Sequence, residues 1–153
     1  MGLSPQKSEQ LFCRIRQEWV AALPEEYVRQ ALLQRMIHEL GYPSELIAVE
    51  KALDFLPHLM ELGKSLPERR ADILCFKKNN SQLLPFVLIE CKAVPLTDKT
   101  VNQVAGYNHY VGAPFIVVVN REEVRCGFRQ KGDVYKFVSW LPTYEELSKA
   151  YLR

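Results

Sequence analysis

No apolar run in this chain is long enough to cross a bilayer. A spanning helix needs about 20 consecutive apolar residues, and the runs here, Pro114 to Val119 among them, are strand-sized. A secretory leader is missing as well: Met1-Gly2-Leu3-Ser4-Pro5-Gln6 has neither a basic nor an apolar region. Gln6 also breaks the myristoylation pattern, which needs Ser or Thr at that place. The cysteines, Cys13, Cys75, Cys91 and Cys126, are scattered and form no Cys-x-x-Cys pair, and Cys75 and Cys91, inside apolar strands, are expected to be buried, reduced thiols. His38, His58 and His109 have no ligand spacing with the cysteines or with each other, which argues against structural zinc. Excess charge is missing too, with 20 Lys and Arg against 18 Asp and Glu. Any contact with nucleic acid must therefore use a local basic patch. The expectation is an unprocessed, cytoplasmic protein with no membrane partner.

The chain has 153 residues, 48% of them apolar and 25% charged, which is enough for one domain with a full core. It has no internal repeat and no low-complexity segment. Residues 1–10 are polar, and Leu11 to Val20 shows no convincing period. Pro24-Glu25-Glu26 opens a helix, because proline suits the first helical position and acids suit the positive end of the helix dipole. Val28, Ala31, Leu32, Met36 and Leu40 then recur at the helical period, and Gly41 ends it. Leu46 to Leu53 reads as a strand, and residues 54–68, with Pro57, Gly63 and Pro67, as a loop with a helical turn. Arg70 to Phe76 and Leu84 to Ala93 are two more strands, joined by the polar Lys77-Lys78-Asn79-Asn80-Ser81. Thr97 caps a helix to about Val111, and Pro114 to Val119 suits a strand buried on both faces. Short strands at 123–129 and 134–138 flank a turn at Lys131-Gly132-Asp133, and Thr143-Tyr144-Glu145-Glu146 is a capping box. The fold class is therefore α/β: a mixed sheet flanked by helices, with a meander of three strands, a parallel crossover, extra C-terminal strands and a short last helix.

Three pieces of this frame carry chemistry. Asp72 lies in one strand, Glu90-Cys91-Lys92 ends the next, and Gln103 and Tyr107 stand one helical turn apart. Side chains two apart on a strand share a face. Glu90 and Lys92 should thus point together, with Cys91 opposite, in the core with Leu88. Two charges at the end of so apolar a strand are costly without a job or an exposed place. A hairpin around 77–83 would bring Asp72 beside Glu90. Paired carboxylates suit a magnesium ion, which takes hard oxygen ligands, waters and a substrate phosphate. Lys92 would then orient an attacking water. Gln103 and Tyr107 would touch a phosphate or buttress the lysine. Each piece alone has a plainer reading: a solvated strand face, a turn, an amphipathic helix.

Taken together, these residues resemble the PD-(D/E)XK nuclease superfamily, whose core is an αβββαβ unit. More narrowly, Pro24-Glu25-Glu26-Tyr27-Val28-Arg29-Gln30, Gly41-Tyr42-Pro43, Ile47-Ala48-Val49-Glu50-Lys51, Arg70-Ala71-Asp72-Ile73-Leu74 and Ile89-Glu90-Cys91-Lys92 are similar to the N-terminal nuclease domain of type I restriction enzyme R subunits. The resemblance implies a restriction-endonuclease-like domain over 23–153 behind an extension at 1–22. It implies Asp72 and Glu90 as ligands of Mg²⁺ or Mn²⁺, the Cys91 carbonyl completing the shell, and Lys92 as the base or orienter. An acid of the first helix, Glu26 or alternatively Glu25, would face the metal directly or through water. Glu50 is a weaker candidate, with Arg29 as a pairing partner. Ala71 stands where the superfamily name has proline, a permissive position.

The implied activity is endonucleolytic hydrolysis of DNA, by a homodimer or within a larger nuclease complex. The alternative is a catalytically silent module of the same fold that binds nucleic acid or protein. A third, weaker reading makes the charges structural salt bridges only. The ATP-driven motor of R subunits is not in this chain. Gly63-Lys64-Ser65 imitates the end of a phosphate loop, but His58 stands where the earlier glycine is required, so no nucleotide cofactor is expected. Arg69, Arg70, Lys77, Lys78, Lys99, Arg121, Arg125 and Arg129 are the candidates for a DNA groove. No recognition-helix motif or aromatic-basic stripe points to base readout.

Overall fold

The computed structural model describes residues 9–60 and 69–152. Gly63-Lys64-Ser65, Pro67 and the polar start of the chain lie outside the described residues. The chain opens with a hairpin of β1 (Gln10–Cys13) and β2 (Glu18–Ala21), followed by α1 (Pro24–His38) and β3 (Ile47–Ala52). Next come the paired strands β4 (Arg70–Asn79) and β5 (Gln82–Cys91), then α2 (Asp98–Val111) and β6 (Phe115–Val119). The chain ends with β7 (Val124–Arg129), β8 (Tyr135–Val138) and α3 (Tyr144–Tyr151). Strands β3 to β8 form one sheet in sequence order, antiparallel throughout except for the parallel pair β5–β6. The α/β class, the meander and the crossover through α2 are as the sequence pattern predicts. No helix among the described residues is long and apolar enough to cross a membrane.

Local chemistry explains most boundaries. Pro24 opens α1 with Glu25 and Glu26 in its first turn, and Gly41 takes the left-handed φ of 72° just past its end. Thr97 caps α2 by accepting from the Thr100 amide, and Gly112 closes it at φ 78°. Thr143 accepts from the Glu146 amide and starts α3. Pro85 has no N–H to give to the ladder, and a bulge absorbs it: Cys75 pairs with Val87, but Phe76 pairs with Pro85. The β4–β5 strands run further than the pattern predicts, to Asn79 and from Gln82. Only Asn80 and Ser81 make the turn, with Asn80 at φ 56°. Asparagine tolerates that backbone better than most residues.

The hairpin of β1 and β2 has no counterpart in the elements predicted from sequence. Each strand is four residues long, too short for alternation to stand out. It is nonetheless fastened down: Cys13 is wholly buried in the core that α1 covers.

The sheet separates two cores. Val28, Leu32, Leu33 and Met36 of α1 and Leu147 of α3 cover one face, over Ile73, Val87, Ile89 and Val117. Val101, Val104, Tyr107 and Val111 of α2 cover the other, over Leu74, Leu88, Ile116 and Val118. All of β6 is buried, as its unbroken apolar run requires. The end of the chain is tied to the exit of α1. The Tyr42 hydroxyl donates to the Pro142 carbonyl at 2.8 Å, and the Tyr144 amide donates to the Leu40 carbonyl at 3.0 Å. Leu147, fully buried, is the plug of α3. Leu147→Ala should therefore cost about 2–5 kcal/mol, the usual range for a core leucine. A urea melt with an unchanged midpoint would show that α3 is dispensable to the core.

Candidate active site

Register places the acids. Ile73 pairs with Ile89 across β4 and β5, so one step further along the ladder sets Asp72 opposite Glu90. Glu90 shares the parity of Leu88, on the face that α2 covers, whereas alternation does not extend to Asp72, because Ala71 and Leu74 lie in the same core and Asp72 meets Arg29 of α1. The expected pairing of Cys91 with Leu88 is therefore incorrect. Cys91 is buried with Val87 and Ile89 on the α1 side, because Leu88 shares the parity of Glu90. The strand end is held firmly: the Cys91 amide donates to Asp72 Oδ2 at 2.8 Å. The Lys92 amide donates to the Val119 carbonyl at 2.8 Å. Lys92 Nζ lies 3.5 Å from Glu90 Oε1.

Two arginines complete this end of the sheet. Arg29, only 5% exposed, reaches from α1 with Nη2 2.7 Å from Glu50 Oε1 and 3.6 Å from Asp72 Oδ1. Its Nη1 lies 3.6 Å from Glu26 Oε1. The pairing of Arg29 with Glu50 expected from sequence is present. Glu50 adopts φ 57° inside β3, a costly left-handed backbone for a residue with a side chain. Arg69 Nη2 lies 2.8 Å from Glu90 Oε1. The Arg69 guanidinium also sits 5.0 Å from the Tyr107 ring centre, and the Tyr107 hydroxyl donates to the Arg69 carbonyl at 3.0 Å.

The remaining predicted residues divide. Tyr107 is buried and joins the acids through Arg69. Gln103, one turn earlier, is exposed and has no hydrogen bond to this group among the described residues. Glu26 is buried but faces α1's own partners: Arg16 Nη2 donates at 2.6 Å and Gln30 Nε2 at 3.0 Å. It reaches Asp72 only through Arg29. Arg16 has no signal in the sequence, since it precedes any recognisable element. An open cleft of about 580 Å³ lined by Arg16, Glu25, Glu26, Arg29, Glu50 and Ala93 borders the acids on the α1 side.

The basic residues do not make one groove. Arg69, Arg70 and Lys92 share the end of the sheet that carries Asp72. Arg125 pairs with Val118, which pairs with Glu90, and it lies 3.5 Å from Asp98 at the start of α2. Lys77 pairs with Leu84 at the opposite end of β4, with its ammonium over the Phe86 and Tyr144 rings. Arg129 is likewise at the far end of β7, paired with Asp133 at 2.6 Å.

Electrostatics sets the acids apart. Burial and then the Glu90 charge push the Asp72 carboxyl up to about 7, against the Cys91 amide and Arg29. Burial also raises the Glu26 carboxyl, but donation from Gln30 and Arg16, with the Arg29 charge, leaves it below its ordinary value. Among the described residues, no three His, Cys, Asp or Glu side chains gather as a ready metal cage.

A family model described as "Type I restriction enzyme R protein N terminus (HSDR_N)" matches residues 24–142. No curated protein matches the chain, and no solved structure does. The match runs from the first residue of α1 to the residue before the cap of α3, so it contains the whole six-stranded sheet. The chain belongs to this family, and its domain is nuclease-related.

Asp72 should be visible in the pH dependence of stability. A carboxyl raised in the folded state binds more protons there than when unfolded. Its contribution is favourable in acid and is lost as pH rises from about 4 to about 7. Asp72→Asn keeps an oxygen for the Cys91 amide and removes the charge. It should be more stable than the parent by up to about 4 kcal/mol at pH 8 and equal to it near pH 4. Urea melts across that range that run parallel would contradict this.

Proposed function

We propose that this member of the type I restriction enzyme R N-terminal family hydrolyses DNA phosphodiester bonds with a divalent cation, Mg²⁺ or Mn²⁺. One observation carries the reading: Asp72 and Glu90 stand side by side on adjacent strands with Lys92 against Glu90. The donor set fits a hard cation, since both side chains offer oxygen and the Cys91 carbonyl directly follows Glu90 in sequence. Asp72 fits it further. Its carboxyl is pushed up in part by the Glu90 charge, a repulsion that a cation between the two would relieve. When bound, that cation would supply charge stabilisation for the phosphorane-like transition state.

The chain's own groups do the rest. Asp72 is fixed by the Cys91 amide, so its free oxygen keeps one direction. Lys92 orients and polarises a water toward phosphorus. The water oxygen forms the new P–O bond and gives up its proton to solvent, the bond to the leaving sugar oxygen breaks, and that oxygen takes a proton from solvent. Arg69 and Arg70, at the same sheet end, meet the flanking phosphates. Cleavage of both strands calls for a second copy or a larger complex, because the described residues offer one such group.

A second reading has its own observation. Arg29 and Arg69 already sit against Asp72 and Glu90, at 3.6 and 2.8 Å. A fold that balances its acids internally also suits a silent module that docks nucleic acid or protein. The test separates the two. Purified protein is incubated with supercoiled, linear, single-stranded and branched DNA, with Mg²⁺, Mn²⁺ or chelator. Cleavage should require the cation and should fall by about 10²–10⁴-fold in Lys92→Ala, the range for a group that moves or aligns a proton, and at least as far in Asp72→Ala. Calorimetric cation binding with none of the four substrates cut would favour the silent module, and cleavage untouched by either substitution would end the proposal.

A further inference from the structure

The two arginines beside the acids are not equivalent. Arg29 has a side chain only 6% exposed and is shared among Glu26, Glu50 and Asp72. Removing it from that place would strand several buried charges, so it stays. Arg69 has a side chain 32% exposed and touches one carboxylate oxygen, Glu90 Oε1. That same oxygen is the neighbour of Lys92 Nζ. It therefore already faces two positive groups before any divalent ion arrives.

Tyr107 holds Arg69 by its main chain and not by its charge. The hydroxyl pins the Arg69 carbonyl, while the ring supplies a flat face under the guanidinium. The backbone is thereby fixed, and among the described residues the head of the side chain is held by Glu90 and by a stacking contact worth about 0.5–1 kcal/mol at a part-exposed place. With its side chain 32% exposed, a guanidinium leaving Glu90 can turn toward solvent, and its planar fork matches a phosphate.

Resting on the nuclease reading above, we propose that Arg69 is an exchangeable cation: it occupies Glu90 until a divalent ion binds there, and then swings to a phosphate oxygen of the nucleic-acid substrate. The ion and the guanidinium compete for Glu90 Oε1, and their like charges keep them from sharing it. Binding of the ion thus frees a phosphate-binding arm at the place where the substrate must lie. Tyr107 is in this scheme a positioning residue, acting through the Arg69 backbone. No proton is moved and no bond is made or broken in the exchange.

The test uses the whole chain and Mn²⁺ alone, titrated calorimetrically. Arg69→Gln removes the competitor and should bind Mn²⁺ about fivefold more tightly than the parent, the scale of one part-exposed ion pair. Arg69→Met, which keeps an unbranched apolar stem against the Tyr107 ring, should behave alike. A role in folding alone would weaken the binding instead. Duplex DNA affinity is then read by fluorescence anisotropy, with Lys92→Ala in every protein so that no turnover intervenes. Loss of Arg69 should weaken binding about tenfold at saturating Mn²⁺ and little without it. Equal or weaker Mn²⁺ binding by both Arg69 variants, with the parent binding normally, overturns the exchange and leaves the nuclease reading standing. A DNA loss of the same size with and without Mn²⁺ also overturns it, since Arg69 would then be a fixed phosphate contact. No Mn²⁺ binding by the parent or the variants overturns both.

Discussion

Two like charges are forced together by a ladder of backbone hydrogen bonds. The β4–β5 register leaves Asp72 and Glu90 no freedom to avoid each other. Two carboxylates about 4 Å apart repel by about 4 kcal/mol at an effective dielectric near 20. Burial adds to the cost, and the raised Asp72 carboxyl is its trace. The neighbourhood answers with cations and dipoles: Arg29 toward Asp72, Arg69 and Lys92 on Glu90, and the Cys91 amide on Asp72. Nothing about the stability of the sheet asks for this arrangement. An apolar cluster replacing both acids together with the cations paired to them would bury more apolar area without that cost.

The rest of the fold keeps that register from slipping. The apolar faces of β4 and β5 differ in what covers them, α1 and α3 on one side and α2 on the other. A one-residue slip would turn every side chain to the wrong core. The bulge at Pro85 lies in the far half of the hairpin, and the pairs from Ile73 to Cys75 run in step up to the acids. The parallel partner β6 then clamps the strand end, its Val119 carbonyl taking the Lys92 amide. Lys92 is thus placed by main-chain bonds, and its side chain has only to reach the neighbouring oxygen.

Much of this could be read from the residues, and the limits are physical. The hairpin and the shared face of Glu90 and Lys92 follow from a period of two and a polar turn, both local. The error over Cys91 and Leu88 was one of parity within that same strand. The helices were legible where caps and glycines mark them, at Pro24, Thr97 and Thr143. The hairpin at 10–21 was not, because short strands carry too little alternation. The roles of Arg16 and Arg69 depend on which element folds back over which, and no spacing in the chain encodes that. Gln103 shows the converse: a spacing of four put it on the face of Tyr107, but the helix turns it outward to solvent while Tyr107 goes under Arg69.

Glu26 sharpens the division of labour among the charges. Its two oxygens are taken by Arg16 and Gln30, and its carboxyl is held below its ordinary value. It is therefore a permanent anion whose charge is spent on Arg16 and Arg29. What α1 contributes toward Asp72 in this arrangement is the positive end of that chain, the Arg29 guanidinium. A fixed buried cation on the Asp72 side and a part-exposed one on the Glu90 side make the pair electrostatically lopsided. An incoming ion is opposed more weakly at Glu90, where the resident charge can leave, than at Asp72, where it cannot.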